Sequence, residues 1–231
     1  MIINKVYCLF EQSGTFKKEF KKLGYEAFDY DIKNEFNQTD KIIDLFFEIE
    51  KAFIGQPSIF DNISKDDLII AFYPCVRFED QIQLHFRGEA IQMKNWSDEQ
   101  KLTNDLLLHN SLHELYTRIT QLVIVCLRRK IPLIIENPYS TQHYLVRYWG
   151  IKAKIIDKDR TIRGDYFKKP TQYWFINCEP KQNMILEAYT VNETKTINNT
   201  HNITERSLIS KEYANRFIRE FIIGGKDNDK N

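Results

Sequence analysis

Leu68 to Phe72 is an unbroken apolar run, LIIAF, set between Asp66–Asp67 and Tyr73–Pro74. A run this short, with no polar residue alternating through it, suits a strand buried on both faces. Strands of that kind belong to parallel sheets with helices packed above and below. The rest of the chain repeats the theme. Val6 to Phe10 is short and apolar, and Ser13–Gly14 break it. Phe16, Phe20 and Leu23 follow at helical spacing, with Gly24 placed to end that helix. Tyr25 to Tyr30 reads as the next strand, followed by Asp31. The stretch DKIIDLFFEIEKAF reads either as a strand ending near Asp44 or as a helix from there.

Further on, Ser97 and Gln100 resemble a capping box. They open a helical stretch reaching about Arg129, with a break expected near Asn110. Pro132 to Ile135 is another apolar strand, running into ENPYS. Ser140 is expected to cap the helix TQHYLVRYW, which Gly150 closes. Lys154–Ile156 and Gln172–Ile176 read as later strands, and a last helix runs from about Ser210 to Ile223. Strands alternating with helices predict an α/β protein with a mostly parallel sheet covered on both faces. The expected organisation is one domain over 1–224, with 178–204 as a short loop or hairpin and 225–231 as a disordered tail.

Composition narrows the function classes. The 231 residues carry a formal net charge of +1, so any nucleic-acid surface must be a local patch. The four cysteines, Cys8, Cys75, Cys126 and Cys178, form no C-x-x-C pair, which leaves zinc or redox motifs without support. His109 and His113 share a helix face, but no third ligand accompanies them, and a polar helix face is the simpler reading. The first residues lack a basic start followed by a long apolar run, and no apolar stretch reaches the ~18 residues of a membrane span. A cytoplasmic protein with free thiols, and no membrane partner, is the expectation.

In parallel sheets, ligands collect beyond the carboxyl ends of the strands. Four features fall there: the Ser13–Gly14 turn, Asp31, Cys75 and Glu136. The turn FEQSGTF has a single glycine, poor for cradling a pyrophosphate but compatible with a nucleoside cofactor lacking phosphates. Asp31 is placed to accept hydrogen bonds from ribose hydroxyls. Cys75 follows a proline just past a strand end, and Arg77 two residues on would favour its thiolate. Glu136, followed by Asn137, ends the next strand in the same sense. Together, a thiolate would attack an electron-poor ring carbon while a carboxyl donates a proton to the ring nitrogen.

The ordered set resembles the cytosine-C5 DNA methyltransferase family, over most of the chain. Phe10, Ser13, Gly14 and Thr15 stand where that family has its glycine-containing cofactor loop. Asp31–Ile32 resembles its ribose-binding acidic residue and the apolar residue after it, and Asp44 its acidic residue after the third strand. Pro74–Cys75 is similar to its proline–cysteine nucleophile motif, and Glu136–Asn137 to its Glu–Asn motif. RSLISKEYANRF, beginning at Arg206, resembles its late Arg…Glu-x-Ala helix. The resemblance implies a Rossmann-like S-adenosylmethionine-dependent methyltransferase fold. It implies S-adenosylmethionine as cofactor, with Cys75 adding to C6 of cytosine, Glu136 engaging N3, and the methyl group passing to C5. The base must leave its stack first. Arg77, Arg87, Lys168 and Lys169 are candidates for phosphate contacts, and rings near Cys75, among Phe72, Phe78, Phe86 and Trp96, for stacking on an extruded base.

The chain departs from that family in four places. Its cofactor loop is poor in glycine, and Val76 stands where glutamine is common. No Gln-x-Arg-x-Arg element is present; GDYFKKPTQYWF stands in its place, with Lys168 or Lys169 as the replacement cation. The gap before Arg206 is only about thirty residues, too short for a separate target-recognition domain. Compact, phage-type relatives are the best match, in a bacterial or phage-infected cell. Single- or double-stranded DNA with short or loosely defined sites, or a helper protein, would then supply recognition. Two other readings compete. One is an amino-group methyltransferase acting on N6 of adenine or N4 of cytosine, suggested by Asn137-Pro138-Tyr139. The other is a methyltransferase-like protein that binds cofactor or DNA without turnover.

Overall fold

The computed structural model describes residues 3–185 and 208–223. Arg206, the stretch 186–204 and the tail from 224 lie outside them. Seven strands form one sheet in the order β3-β2-β1-β4-β5-β7-β6. They are β1 Lys5–Leu9, β2 Glu26–Asp31, β3 Lys41–Ile42, β4 Leu68–Phe72, β5 Leu133–Pro138, β6 Ile155–Asp157 and β7 Thr171–Ile176. β1 through β5 pair in parallel, and β7 runs antiparallel to both β5 and β6. The sheet is therefore α/β and mostly parallel, with one reversed strand inserted next to the edge.

Residues alternate between the two faces along each central strand. Tyr7, Leu9, Ile69, Ala71, Leu133, Ile135 and Trp174 face one core. That core is covered by α2 Leu45–Phe53, α4 Asp98–Arg129 and α5 Tyr144–Tyr148, with Phe86 of the one-turn α3 Gln83–Phe86 packed at its margin. Val6, Cys8, Leu68, Ile70, Ile134, Tyr173 and Phe175 face the other, against α1 Thr15–Lys22 and α6 Lys211–Phe217. Cys8 and Cys126 are thus small core residues.

Helix boundaries follow local chemistry. Asp44 caps α2 by accepting from the Phe46 and Phe47 amides, which settles the ambiguous stretch: β3 ends at Ile42 and the helix starts at Leu45. Ser97 and Gln100 form a reciprocal capping box at the start of α4. This helix continues unbroken for 32 residues, so the expected interruption near Asn110 is absent. Its burial begins at Leu108 and continues through residues such as Leu112, Ile119 and Val123, while Leu102, Leu106 and Leu107 nearer its start are exposed. Ser140 does not cap a helix. Its hydroxyl is buried without a hydrogen-bond partner, a turn occupies 141–142, and α5 begins only at Tyr144. No described helix is long and apolar enough to cross a membrane.

Candidate active site

The strand order reverses direction between β1 and β4: β1 leads outward to β2 and β3, whereas β4 leads the other way to β5. A doubly wound sheet opens a crevice at such a point, beyond the carboxyl ends of the strands. Here the crevice is a cleft of about 360 Å³. Phe10 to Ser13 line it from the end of β1, Phe72 to Cys75 from β4, and Glu136 and Pro138 from β5. Phe10 has a left-handed backbone, φ 61°, uncommon for a bulky residue. Its amide still donates to the Tyr30 carbonyl at 2.9 Å, and its ring packs against Tyr73 and Phe46. These contacts hold the turn in a conformation that costs about 1–3 kcal/mol.

Cys75 lines this cleft. Its Sγ donates to Glu79 Oε1 at 3.0 Å. Burial pushes the thiol up, Glu79 and Glu136 push it the same way, and Lys169 opposes them. The cation acting on the thiol is therefore Lys169 rather than Arg77, whose Nε donates instead to Ser111 Oγ on α4 at 3.2 Å. Glu136 pairs in register with Phe72 of β4, so its carboxyl lies across from the strand that delivers Cys75. Burial raises the Glu136 carboxyl, against the attraction of Lys169 and Arg160. Asn137 is buried; its Nδ2 donates to the carbonyls of Tyr73 at 2.7 Å and Glu136 at 3.0 Å, tying the ends of β4 and β5 together.

Two residues on this side escaped the sequence reading. Glu79 is four positions beyond Cys75, a spacing that carries no signal until the chain is seen to turn back. Arg160 is fully buried, paired with Asp165, and sits 4.9 Å from the Tyr213 ring, yet it reaches the cleft lining. Its support comes from the late helix. Ser210 Oγ donates to the Gly164 carbonyl at 2.8 Å while Asp165 accepts from the Ser210 amide, and Tyr213 bridges Tyr173 and Asp157. Of the two lysines, Lys169 lines the cleft, whereas Lys168 is exposed and 3.5 Å from Asp159.

The β1 side distributes its candidates differently. Phe10, Ser13 and Pro74 line the cleft. Gly14 and Thr15 do not. Gly14, at φ 63°, makes room for Lys17, Asp29 and Gln38, which a Cβ there would meet at 3.2–3.3 Å. Lys17 is buried there in an ion cluster, 2.8 Å from Asp29 and 3.1 Å from Asp40. Thr15 shares a 2.9 Å hydroxyl contact with Ser13. Asp31 is buried and accepts from the Lys33 amide at 2.8 Å; Ile32 beside it is 60% exposed. Neither is in the lining, where Lys33, Glu35 and Phe36 stand instead. Asp44 serves as the α2 cap and is also absent from it. Glu11, not anticipated, is in the cleft lining, and its buried carboxylate accepts from the Phe16 amide at 2.7 Å and the Lys17 amide at 3.3 Å. Burial pushes it up to about 7.

Arg87 is exposed, 2.8 Å from Glu89, and lines a second hollow rather than the cleft. His109 lies 3.4 Å from Asp105 and edge-on to Phe86. Among the described residues, no three His, Cys, Asp or Glu side chains gather as a metal site. No known family model matches the chain, and no curated protein matches it.

Proposed function

We propose that this chain is an S-adenosylmethionine-dependent methyltransferase acting on C5 of cytosine in DNA. The observation that carries the reading is the pair Cys75 and Glu136, delivered by adjacent strand ends onto one cleft whose third side is the β1–α1 turn. The reversed β7 between β5 and β6 departs from the plain dinucleotide-binding order, in keeping with the methyltransferase variant that the sequence resemblance implies.

The cleft chemistry fits a cationic nucleoside cofactor. Phe10, Phe36 and Phe72 offer rings to a purine, and Glu11 offers a buried carboxyl to a positive charge. When bound, S-adenosylmethionine would supply an electrophilic methyl group to C5. The chain's own residues do the rest. Glu79 accepts the Cys75 proton as the sulfur bonds to C6. Glu136, held toward its protonated form by burial, gives a proton to N3, leaving C5 electron-rich. Lys169 and Arg160 balance the carboxylate that results. After methylation the C5 proton leaves to solvent, the S–C6 bond breaks, and Glu79 and Glu136 return to their starting states.

The reading of a binder without turnover draws on a different observation: burial and Glu79 both hold the Cys75 thiol protonated. Amino-group methylation has less support: the Asn137 Oδ1 has no hydrogen-bond partner, but it is buried, and Asn137 is not in the cleft lining. The decisive experiment is methyl transfer from labelled S-adenosylmethionine to single- and double-stranded DNA by wild type and Cys75→Ser. The expected result is label at C5 with wild type alone. Equal transfer by both proteins would refute the thiol mechanism. Cofactor binding with no transfer by either would favour the binder.

A further inference from the structure

A second hollow, about 260 Å³, adjoins the cleft. The segment 74–79 borders both: Pro74 and Cys75 line the first, and Arg77, Phe78 and Glu79 line the second. Rings dominate its apolar wall. Tyr144 stacks near Phe78 at 6.2 Å, and Tyr148 lies 4.9 Å from Tyr144. Three arginines, Arg77, Arg87 and Arg147, stand around these rings; Glu79 is the one carboxylate in the lining, and Glu89 outside it pairs with Arg87 at 2.8 Å, which leaves a net positive rim. The Arg147 guanidinium is 5.8 Å from the centre of the Tyr148 ring, and Tyr148 is 61% exposed.

That charge balance is local. The whole chain is nearly neutral, at +1, so a cluster of three arginines around an aromatic wall is not a by-product of a basic protein. An apolar peptide would match the rings but not the arginines. A bare phosphate would match the arginines but not the rings. A nucleotide matches both, because its base has a flat π face and its backbone is anionic. The base must be unpaired and unstacked to lay that face on Tyr148.

Resting on the cytosine-methyltransferase reading, we propose that this hollow holds the unpaired base next to the target cytosine on the same strand. The preferred substrate is then a single strand, or a duplex opened over more than the target base. This would let the chain read a neighbouring position without a separate target-recognition domain.

The test measures binding of a short fluorescent single-stranded oligodeoxynucleotide carrying a single cytosine. A copy with abasic sites flanking that cytosine is run beside it. Wild type is compared with Tyr148→Ala and Arg87→Ala/Arg147→Ala, whose side chains are exposed and outside the first cleft. S-adenosylmethionine binding and covalent trapping of a 5-fluorocytosine oligonucleotide at saturating concentration are measured in parallel. The proposal expects Tyr148→Ala to weaken binding about 10- to 100-fold. It also expects the abasic penalty seen with wild type to vanish in that variant. The double arginine variant should flatten the salt dependence by about 0.7 per lost phosphate contact. Trapping and cofactor binding should persist in every variant. Unchanged affinity in all variants, with trapping intact, would overturn the hollow's role and leave the methyltransferase reading standing. Tighter binding of wild type to intact duplex than to single strand would overturn the single-strand assignment. Loss of self-association in Tyr148→Ala, with DNA affinity unchanged, would assign the hollow to a second copy of the chain and overturn the proposal. Failure of wild type to bind or trap any oligonucleotide would overturn both readings.

Discussion

On the β4–β5 side of the cleft, reactive side chains are held by other groups. Asn137 staples the strand ends through the Tyr73 carbonyl, and Ser210 and Asp165 brace Arg160. Cys75 and Glu136 are left facing the cleft. On the β1 side, polar side chains do the holding themselves. Asp44 caps a helix, Asp31 closes a turn on Lys33, and Asp29 and Asp40 bind Lys17. A carboxylate whose lone pairs already accept from backbone amides, Glu11 included, can act on a ligand through its charge but not by accepting further hydrogen bonds through those lone pairs. The difference teaches that acidic residues near strand ends divide into ligands and braces, and that only packing tells which.

The comparison breaks outright if the β4–β5 side chains prove dispensable. Cys75→Ser should abolish the covalent adduct and reduce methyl transfer by about 10⁴-fold or more, with the fold retained by circular dichroism. Glu136→Gln removes the proton donor but keeps the shape; single-turnover rates should fall about 10²- to 10⁴-fold. Glu79→Gln should cost about 10²-fold and steepen the rise of rate with pH, since the thiol must then lose its proton to solvent. A faster Glu79→Gln enzyme would mean that Glu79 restrains the thiol instead of activating it.

The β1 side yields smaller effects. Glu11 is raised to about 7 in the folded chain, so its contribution to stability is present below its unfolded value and is lost as pH rises through 7. A cationic cofactor favours the carboxylate, so binding near pH 6.5 should release protons, measurable by calorimetry in buffers of different ionisation enthalpy. Glu11→Gln should abolish that release and the pH-linked loss of stability. Smallest of all, Asp44→Ala should lower unfolding free energy by about 1 kcal/mol through the lost cap, while cofactor affinity stays the same. A large affinity loss there would make Asp44 a ligand after all.

The same division explains what the sequence could disclose. Leu68–Phe72 matches its strand to the residue, because a continuous apolar run bounded by a proline has few alternatives. The Ser97–Gln100 box marks its helix for the same local reason. Ser140 misled because a serine before a helical pattern looks the same whether or not its hydroxyl reaches an amide. The placement of Cys75 and Glu136 at adjacent strand ends was legible from their order along the chain. Glu11, Glu79 and Arg160 were not, since each owes its position to long-range packing. The choice between Lys168 and Lys169 needed the path of the irregular link before β7, in which Lys169 lines the cleft and Lys168 is exposed.

That reversed strand has a consequence for how the rim of the cleft could change over time. Because β7 runs against β5, Thr171 at its start lies opposite Pro138 at the end of β5. The link from β6 to β7, residues 158–170, therefore begins and ends at the same rim of the sheet, and it supplies both Arg160 and Lys169. Substitution at Lys169 can re-aim positive charge at the cleft while every strand pairing stays as it is, whereas Arg160 is fixed by its buried pairing with Asp165.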